Sequence, residues 1–292
     1  MKAIQETLRL LPLEQKTRLS DLPAGIFSTI SSRKAFKNAL KKDLVKLNGQ
    51  GAKTADFVIG GEIIELLEDP NEKLNPIIDI DLEVLFEDDY LALINKPAGI
   101  EVSGNKKWTL ENALVPHLKQ SSREGALKNP QAIHRLDYAT SGVIMIGKTR
   151  QAVIALNKMF EERRVEKIYH AICIGIMKKE GIIEFQIEEK ACKSSYQVIE
   201  SAVSEKYQFL NLVQLSPHTG RKHQLRIHMA EIGNPIFGDL KYGQEGLLSK
   251  GNGLYLHASI LQFQHPLTKE LLRVRKELPK KFKKIFPEVH VP

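Results

Sequence analysis

Residues 131–150, QAIHRLDYATSGVIMIGKTR, constrain the fold of this chain more than any other stretch. Charged and hydroxyl-bearing side chains, His134, Arg135, Asp137, Thr140 and Ser141, run through Gly142 into the apolar segment Val143 to Ile146. A short apolar run bounded by turn residues reads as a strand, so the polar groups sit at a strand's mouth, where sites are built. Arg135 stands two residues from Asp137. A cation within about 4 to 6 Å lowers an aspartate pKa by roughly 1 to 3 units, which would leave Asp137 an ionised nucleophile or base. The same residues also fit an ordinary turn with a solvated ion pair, and on their own they leave both readings open.

HRLDYATSGVIMIGKT resembles the signature of the RluA-type RNA pseudouridine synthases: His-Arg-Leu-Asp, then Thr-Ser-Gly, then an apolar strand. The resemblance implies that Asp137 is the catalytic residue and that Arg135 helps to extrude the target nucleotide. Three further segments are similar to motifs of the same family, in the same order. Lys96-Pro97-Ala98-Gly99 resembles the first, in which Lys96 and Pro97 shape the cleft; Lys96 is not expected to be catalytic. Phe160, Arg163, Val165, Lys167, Tyr169 and Ala171 follow the second, F-x-x-R-x-V-x-K-x-Y-x-A, whose tyrosine stacks on the flipped base and is placed to move a proton. TGRKHQLRIH followed by GNPIFGD is similar to the third, whose second arginine, here Arg226, pairs with the catalytic aspartate. LHASILQFQHPLTKELLRV fits the C-terminal strand region.

The implied fold is α+β, the pseudouridine-synthase fold: a central, mostly antiparallel mixed sheet flanked by helices and loops, preceded by a small α/β RNA-binding domain. Three divisions are expected: a basic module at 14–69, a linker at 70–78 and a catalytic domain at 79–292. In the module, Ser32 is read as capping a helix that runs through Leu47, followed by an Asn48-Gly49 turn and a strand after Gly60-Gly61. On that helix Phe36, Ala39 and Leu40 share one face, while Arg33, Lys37 and Lys41 follow at spacing four on an adjoining arc. A lysine row fits a solvated face as well as a binding one. The order R-L-S-D-L, S-S-R-K-A-F-K-N-A-L, V-K-L-N-G resembles the RNA-binding domain named after the fourth small-subunit ribosomal protein, in which the basic helix tracks phosphates. The segment PNEKLNPII at 70–78, with two prolines, reads as linker.

Within the catalytic domain, Leu82–Phe86 and Leu91–Ile94 read as a hairpin, Trp108–Leu118 as a short helix and Ser121–Asn129 as loop. Thr149 caps a helix with Val153, Leu156 and Phe160 on one side. The charge run EERRVEK reads as mostly solvated. In KIYHAICIG the period changes to two, which places Tyr169 on a strand face. Residues 181–187, 195–200 and 207–215 read as strands, and Lys222–Ile232 as a helix with Leu225, Met229 and Ile232 inward. His218, His223 and His228 are five apart, about 140° round a helix, so they diverge; no metal site is expected.

The remaining expectations concern compartment and partners. Lysine and arginine exceed aspartate and glutamate by 43 to 35, a net +8 that favours a polyanionic partner. Two cysteines, Cys173 and Cys192, make no disulfide framework and suggest a reducing compartment. No apolar run has signal or membrane-spanning length, so a cytoplasmic protein with no membrane association is expected. No nucleotide-binding glycine motif is present. The isomerisation that the resemblance implies breaks no bond by hydrolysis and changes no redox state, so no cofactor is expected. The expected partner is structured RNA, ribosomal rather than transfer RNA, acted on by a monomer. A non-catalytic RNA-binding or ribosome-assembly protein of the same architecture is the competing reading.

Overall fold

The computed structural model describes residues 2–23, 26–27, 30, 33–69, 77–248, 251 and 253–289. They fall into two compact units, Met1–Asn75 and Pro76–Pro292. Of the expected linker, only Ile77 and Ile78 lie among the described residues. Ile78 is buried and its amide donates to the Asn112 carbonyl, so it already belongs to the second unit.

The first unit contains β1 (Ile4–Arg9), β2 (Thr17–Arg18), α1 (Arg33–Lys41), β3 (Val45–Leu47), β4 (Gln50–Gly51), β5 (Phe57–Val58) and β6 (Ile63–Leu67). One sheet has the order β1-β6-β3-β4, and β2 pairs with β5. The unit begins ahead of residue 14, because Ile4–Arg9 pairs antiparallel with β6. Helix α1 is shorter than the expected Ser32–Leu47 span, and Ser32 lies outside the described residues. Asp43 turns left-handed (φ 52°), its amide donates to Leu40 and that of Leu44 to Ala39, which is how a helix is closed by one αL residue. Val45–Leu47 then finds its hydrogen bonds on β6 as a strand. Asn48 and Gly49, both at positive φ, make the tight turn into β4. Phe36, Ala39 and Leu40 are buried, whereas Arg33, Lys37 and Lys41 are exposed.

The second unit opens with β7 (Glu83–Glu87), β8 (Leu91–Lys96), α2 (Leu110–Ala113), β9 (Ala126–Ala132), β10 (Ser141–Thr149) and α3 (Arg150–Glu161). It continues with β11 (Glu166–Ile174), β12 (Glu180–Ile187), β13 (Lys190–Ser204), β14 (Gln208–Pro217) and α4 (Gln224–Glu231). It closes with β15 (Leu256–Gln264), β16 (Leu271–Arg275) and α5 (Lys280–Lys283). The sheet runs β12-β13-β14-β11-β15-β10-β8-β7, with β16 on β15 and β9 on β10. Its pairings are antiparallel except β10 with β15, so the sheet is mixed and mostly antiparallel, as expected.

Leu91–Ile94 and Val143–Ile146 read as unbroken apolar runs because both sheet faces are covered. Ala92, Ile94, Ile144 and Ile146 pack with Leu110 and Leu114 on one face. Leu91, Leu93, Val143 and Met145 pack with Ala152, Leu156 and Met159 of α3 on the other. Each large apolar side chain buried this way contributes about 1.5–3 kcal/mol. Thr149 caps α3 as expected, accepting from the Ala152 amide.

Three expectations are corrected in the second unit. The helix expected at 108–118 shrinks to α2, capped by Thr109. The loop expected at 121–129 becomes β9 from Ala126 onward; among the described residues it pairs only with β10, and such an edge tolerates Pro130. Helix α4 starts at Gln224 and ends at Glu231, leaving Ile232 exposed while Leu225 and Met229 are buried. Among the described residues, no helix is long and apolar enough to cross a membrane.

Candidate active site

The Asp137 loop is held from both sides. His134 is drawn under it: its Nε2 accepts from the Met145 amide at 3.1 Å and its ring stacks on Phe160 at 4.8 Å. Burial pulls the His134 pKa down to about 3, with the Lys167 charge adding to the effect, so the ring is neutral. Leu136 is buried. Beyond it the Thr140 amide donates to the Asp137 carbonyl, and the Gly99 amide of the Lys-Pro-Ala-Gly turn donates to the Tyr138 carbonyl. Gly142 (φ 120°) then lets β10 run against β15, since a Cβ there would collide with the Ala258 backbone. The loop is therefore fixed by the two strands that flank it.

A cavity of about 310 Å³ opens between this loop, β11 and the segment leading into α4. Asp137, Tyr169, Arg226 and Arg135 all line it, joined by Thr140 and His223. Arg33, Lys37 and Lys41 lie in the first unit, where Lys37 pairs with Asp21 at 3.4 Å. Tyr169 reaches the cavity from β11; burial first, and then the Asp137 charge, push its pKa upward, so the phenol keeps its proton. Its hydroxyl has no hydrogen-bond partner among the described residues.

The cation beside Asp137 is not the one that the local sequence suggests. Arg135 is exposed at the cavity edge and forms no ion pair among the described residues. Instead Arg226 Nη1 lies 3.7 Å from Asp137 Oδ2. Arg226 itself is gripped elsewhere: its Nε and Nη2 donate to the two oxygens of Asp239 at 2.7 and 2.8 Å. Asp239 also accepts from the Lys241 and Tyr242 amides. Burial raises the Asp239 pKa, but the hydrogen bonds and charge of Arg226, with those two amides, outweigh it and hold the carboxyl below its usual value.

Two more groups face Asp137. His223 Nε2 lies 3.7 Å from Asp137 Oδ1, and its Nδ1 is 2.9 Å from the Tyr242 hydroxyl. Burial lowers its pKa against the pull of Asp137, and the charges of Arg226, Lys241 and Lys222 lower it further. Lys96 is fully buried, and its Nζ donates to the Pro97 carbonyl at 2.8 Å. Burial draws its pKa down to about 8 although the nearby Asp137 opposes this. The three histidines separate: His218 bonds Ser195 on the β14 side, His228 is buried in α4, and His223 alone faces the cavity. Sequence reasoning gave no role to Asp239, Tyr242 or His223; Asp239 closes the Gly-Asn-Pro-Ile-Phe-Gly-Asp segment, and that position was the available signal.

The chain is similar to known proteins over most of its length. The family model described as RNA pseudouridylate synthase matches residues 90–231. An uncharacterised RNA pseudouridine synthase of Aquifex aeolicus is 31% identical over 99% of this chain and 99% of its own length. Ribosomal large subunit pseudouridine synthase D of Haemophilus influenzae is 30% identical, covering 97% of this chain and 94% of that protein. Among solved structures, human RNA pseudouridylate synthase domain containing 1 superposes with a TM-score of 0.57 at 25% identity, over 68% of this chain and 84% of that one. With relatives matched along almost its whole length, the chain belongs to the RluA-type family of RNA pseudouridine synthases and is an isomerase acting on RNA.

Proposed function

We propose that this protein converts specific uridines of large-subunit ribosomal RNA to pseudouridine, with Asp137 as the catalytic carboxylate. The observation that carries the reading is one cavity onto which Asp137, Arg226 and the unpartnered Tyr169 hydroxyl converge. Its volume of about 310 Å³ suits a single extruded base. The ribosomal assignment is supported by relatives named as ribosomal large subunit pseudouridine synthases and by the exposed basic row Arg33, Lys37 and Lys41, which suits phosphate contacts to structured RNA. The first unit is read as the small ribosomal-protein-like RNA-binding domain.

The target atom is inaccessible in a stacked helix, so the nucleotide flips out, at a cost of a few kcal/mol that is least at unpaired sites. Arg135, exposed at the cavity edge, is placed to fill the vacated space, and Tyr169 packs against the base with a stacking contribution of roughly 1–3 kcal/mol. Asp137 attacks the ribose or removes a proton from it, the N1 glycosidic bond breaks, the base turns, and C5 rejoins the ribose. The C5 proton is then lost and N1 gains one, so the reaction is balanced without a cofactor. Arg226, itself fixed by Asp239, stands 3.7 Å from Asp137 and keeps it aimed. Once the Asp137 charge is consumed, one of the two causes that raise the Tyr169 pKa disappears, which makes the phenol a better participant in the late proton transfer.

The test is Asp137→Asn in the full chain. It is expected to keep RNA affinity and form no pseudouridine, with carbodiimide mapping of large-subunit RNA from a strain lacking the gene identifying the position. Wild-type protein that forms no pseudouridine in that RNA, or an Asp137→Asn variant that does, would overturn the proposal.

A further inference from the structure

The active-site cavity continues into a second, larger groove of about 1050 Å³. Phe160, Lys167, Pro217, Thr219, Gly220 and Arg221 line both hollows. Three of the groove's cations, Arg163, Lys167 and Arg221, form no ion pair with any described residue, whereas Arg164 is held by Glu162 at 2.6 Å. Glu161 and Glu166 also line the groove, so it is not uniformly positive. Lys167 is the informative member. It is half-buried, its ammonium lies over the Phe160 ring at 5.9 Å, and it stands two residues before Tyr169 on the same face of β11. Two residues of strand span roughly 7 Å, the order of the reach from a nucleobase to the phosphate of its own nucleotide.

Arg163 adds a second observation. It occupies the left-handed position (φ 57°) that ends α3, its amide donating to Phe160 and that of Arg164 to Met159. Glycine takes such a position without steric penalty, yet a long cationic side chain stands there at the groove's rim. Burial and the Arg163 charge both lower the Lys167 pKa, as expected for a cation seat whose anion arrives with a ligand.

Resting on the pseudouridine synthase reading, we infer that Lys167, flanked by Arg163 and Arg221, seats a backbone phosphate of the RNA strand next to the uridine held over Asp137, the strand leaving along this groove. Each phosphate neutralised by such a residue releases a counterion, so the signature is the salt dependence of binding rather than affinity alone.

The experiment measures binding of the full chain to an unmodified large-subunit ribosomal RNA transcript across about 50 to 300 mM KCl. Lys167→Gln is expected to reduce the slope of log K against log salt by about 0.7–0.9, and Lys167→Arg to keep it. Arg221→Gln, on an exposed turn, should reduce the slope similarly and does not depend on a half-buried position for folding. Lys167 and Arg221 variants with wild-type slopes would overturn the inference, because a residue that only packs against Phe160 changes affinity without changing the slope. Pseudouridine formation by the wild type, followed in parallel, reports separately on the proposed reaction; its absence would sink that reading while the slopes still decide the phosphate seat.

Discussion

Lys96→Met should make the second unit more stable while weakening its chemistry. Lys96 is fully buried and titrates at about 8 in the folded protein. An unfolded lysine titrates at about 10.4, and the gap of about 2.4 at roughly 1.36 kcal/mol each means that holding the ammonium in the fold costs about 3 kcal/mol at pH 7. Methionine has a similar length and no charge, but it leaves the Pro97 carbonyl without its donor, a loss of about 1 kcal/mol. The net gain is about 2 kcal/mol, or roughly 4–8 °C in melting temperature for a unit of this size. The sign with pH is fixed. Below about 8 both folded and unfolded Lys96 carry the proton and the full penalty applies. Between about 8 and 10.4 the unfolded chain binds more protons than the folded one, so wild-type stability rises with pH and the variant's advantage shrinks. Urea denaturation, followed by circular dichroism and by Trp108, the single tryptophan, reads this out from pH 7 to 10. A variant less stable than wild type at pH 7, or an advantage that stays flat across that range, would refute the reasoning. The loss of a cation near Asp137 is expected to lower pseudouridine formation even as stability rises.

Three further variants test the frame around Asp137. Asp239→Ala leaves Arg226 without its bidentate partner and should destabilise the second unit by roughly 3–5 kcal/mol and slow pseudouridine formation, as read by urea denaturation and turnover. Because Arg226 holds the Asp239 carboxyl below its usual value, the stabilisation is complete above about pH 3.9 and is lost only as pH falls through the lower folded value; Asp239→Asn should lack that acid-side feature in a pH titration of stability. Gly142→Ala forces a Cβ into the Ala258 backbone at φ 120°, and should cost roughly 3 kcal/mol or more in urea denaturation.

Much of the site was legible in the sequence because its parts are local. His-Arg-Leu-Asp followed by a glycine and an apolar run specifies a loop, a close approach and a central strand within about fifteen residues, and the structure joins them through His134, Gly142 and Val143–Ile146. The Tyr169 strand and the Thr149 cap were readable for the same reason: period and capping act over a few residues. Boundaries were less legible. Val45–Leu47 and Ala126–Ala132 are strands because β6 and β10 offer them hydrogen-bond partners, and nothing in either short segment says so.

The surroundings of Asp137 show where local sequence ends: the resemblance named Arg226, and the short-range pattern pointed to Arg135. Arg135 is the near neighbour along the chain, yet it turns outward, and the cations that Asp137 meets are Arg226 and Lys96, from α4 and the end of β8. By itself the sequence brought forward Asp137, Tyr169 and Arg226, which the structure gathers at one cavity, and most of the strand and helix segments, since motifs and short-range periodicity are local. Only the tertiary structure decided that Lys96 and His223 join Arg226 around Asp137, that Asp239 orients Arg226, and that a groove carrying Arg163, Lys167 and Arg221 leaves the cavity beside Tyr169. Electrostatic partnership depends on distance in space and on burial, and both are set by how strands distant along the chain pair into one sheet.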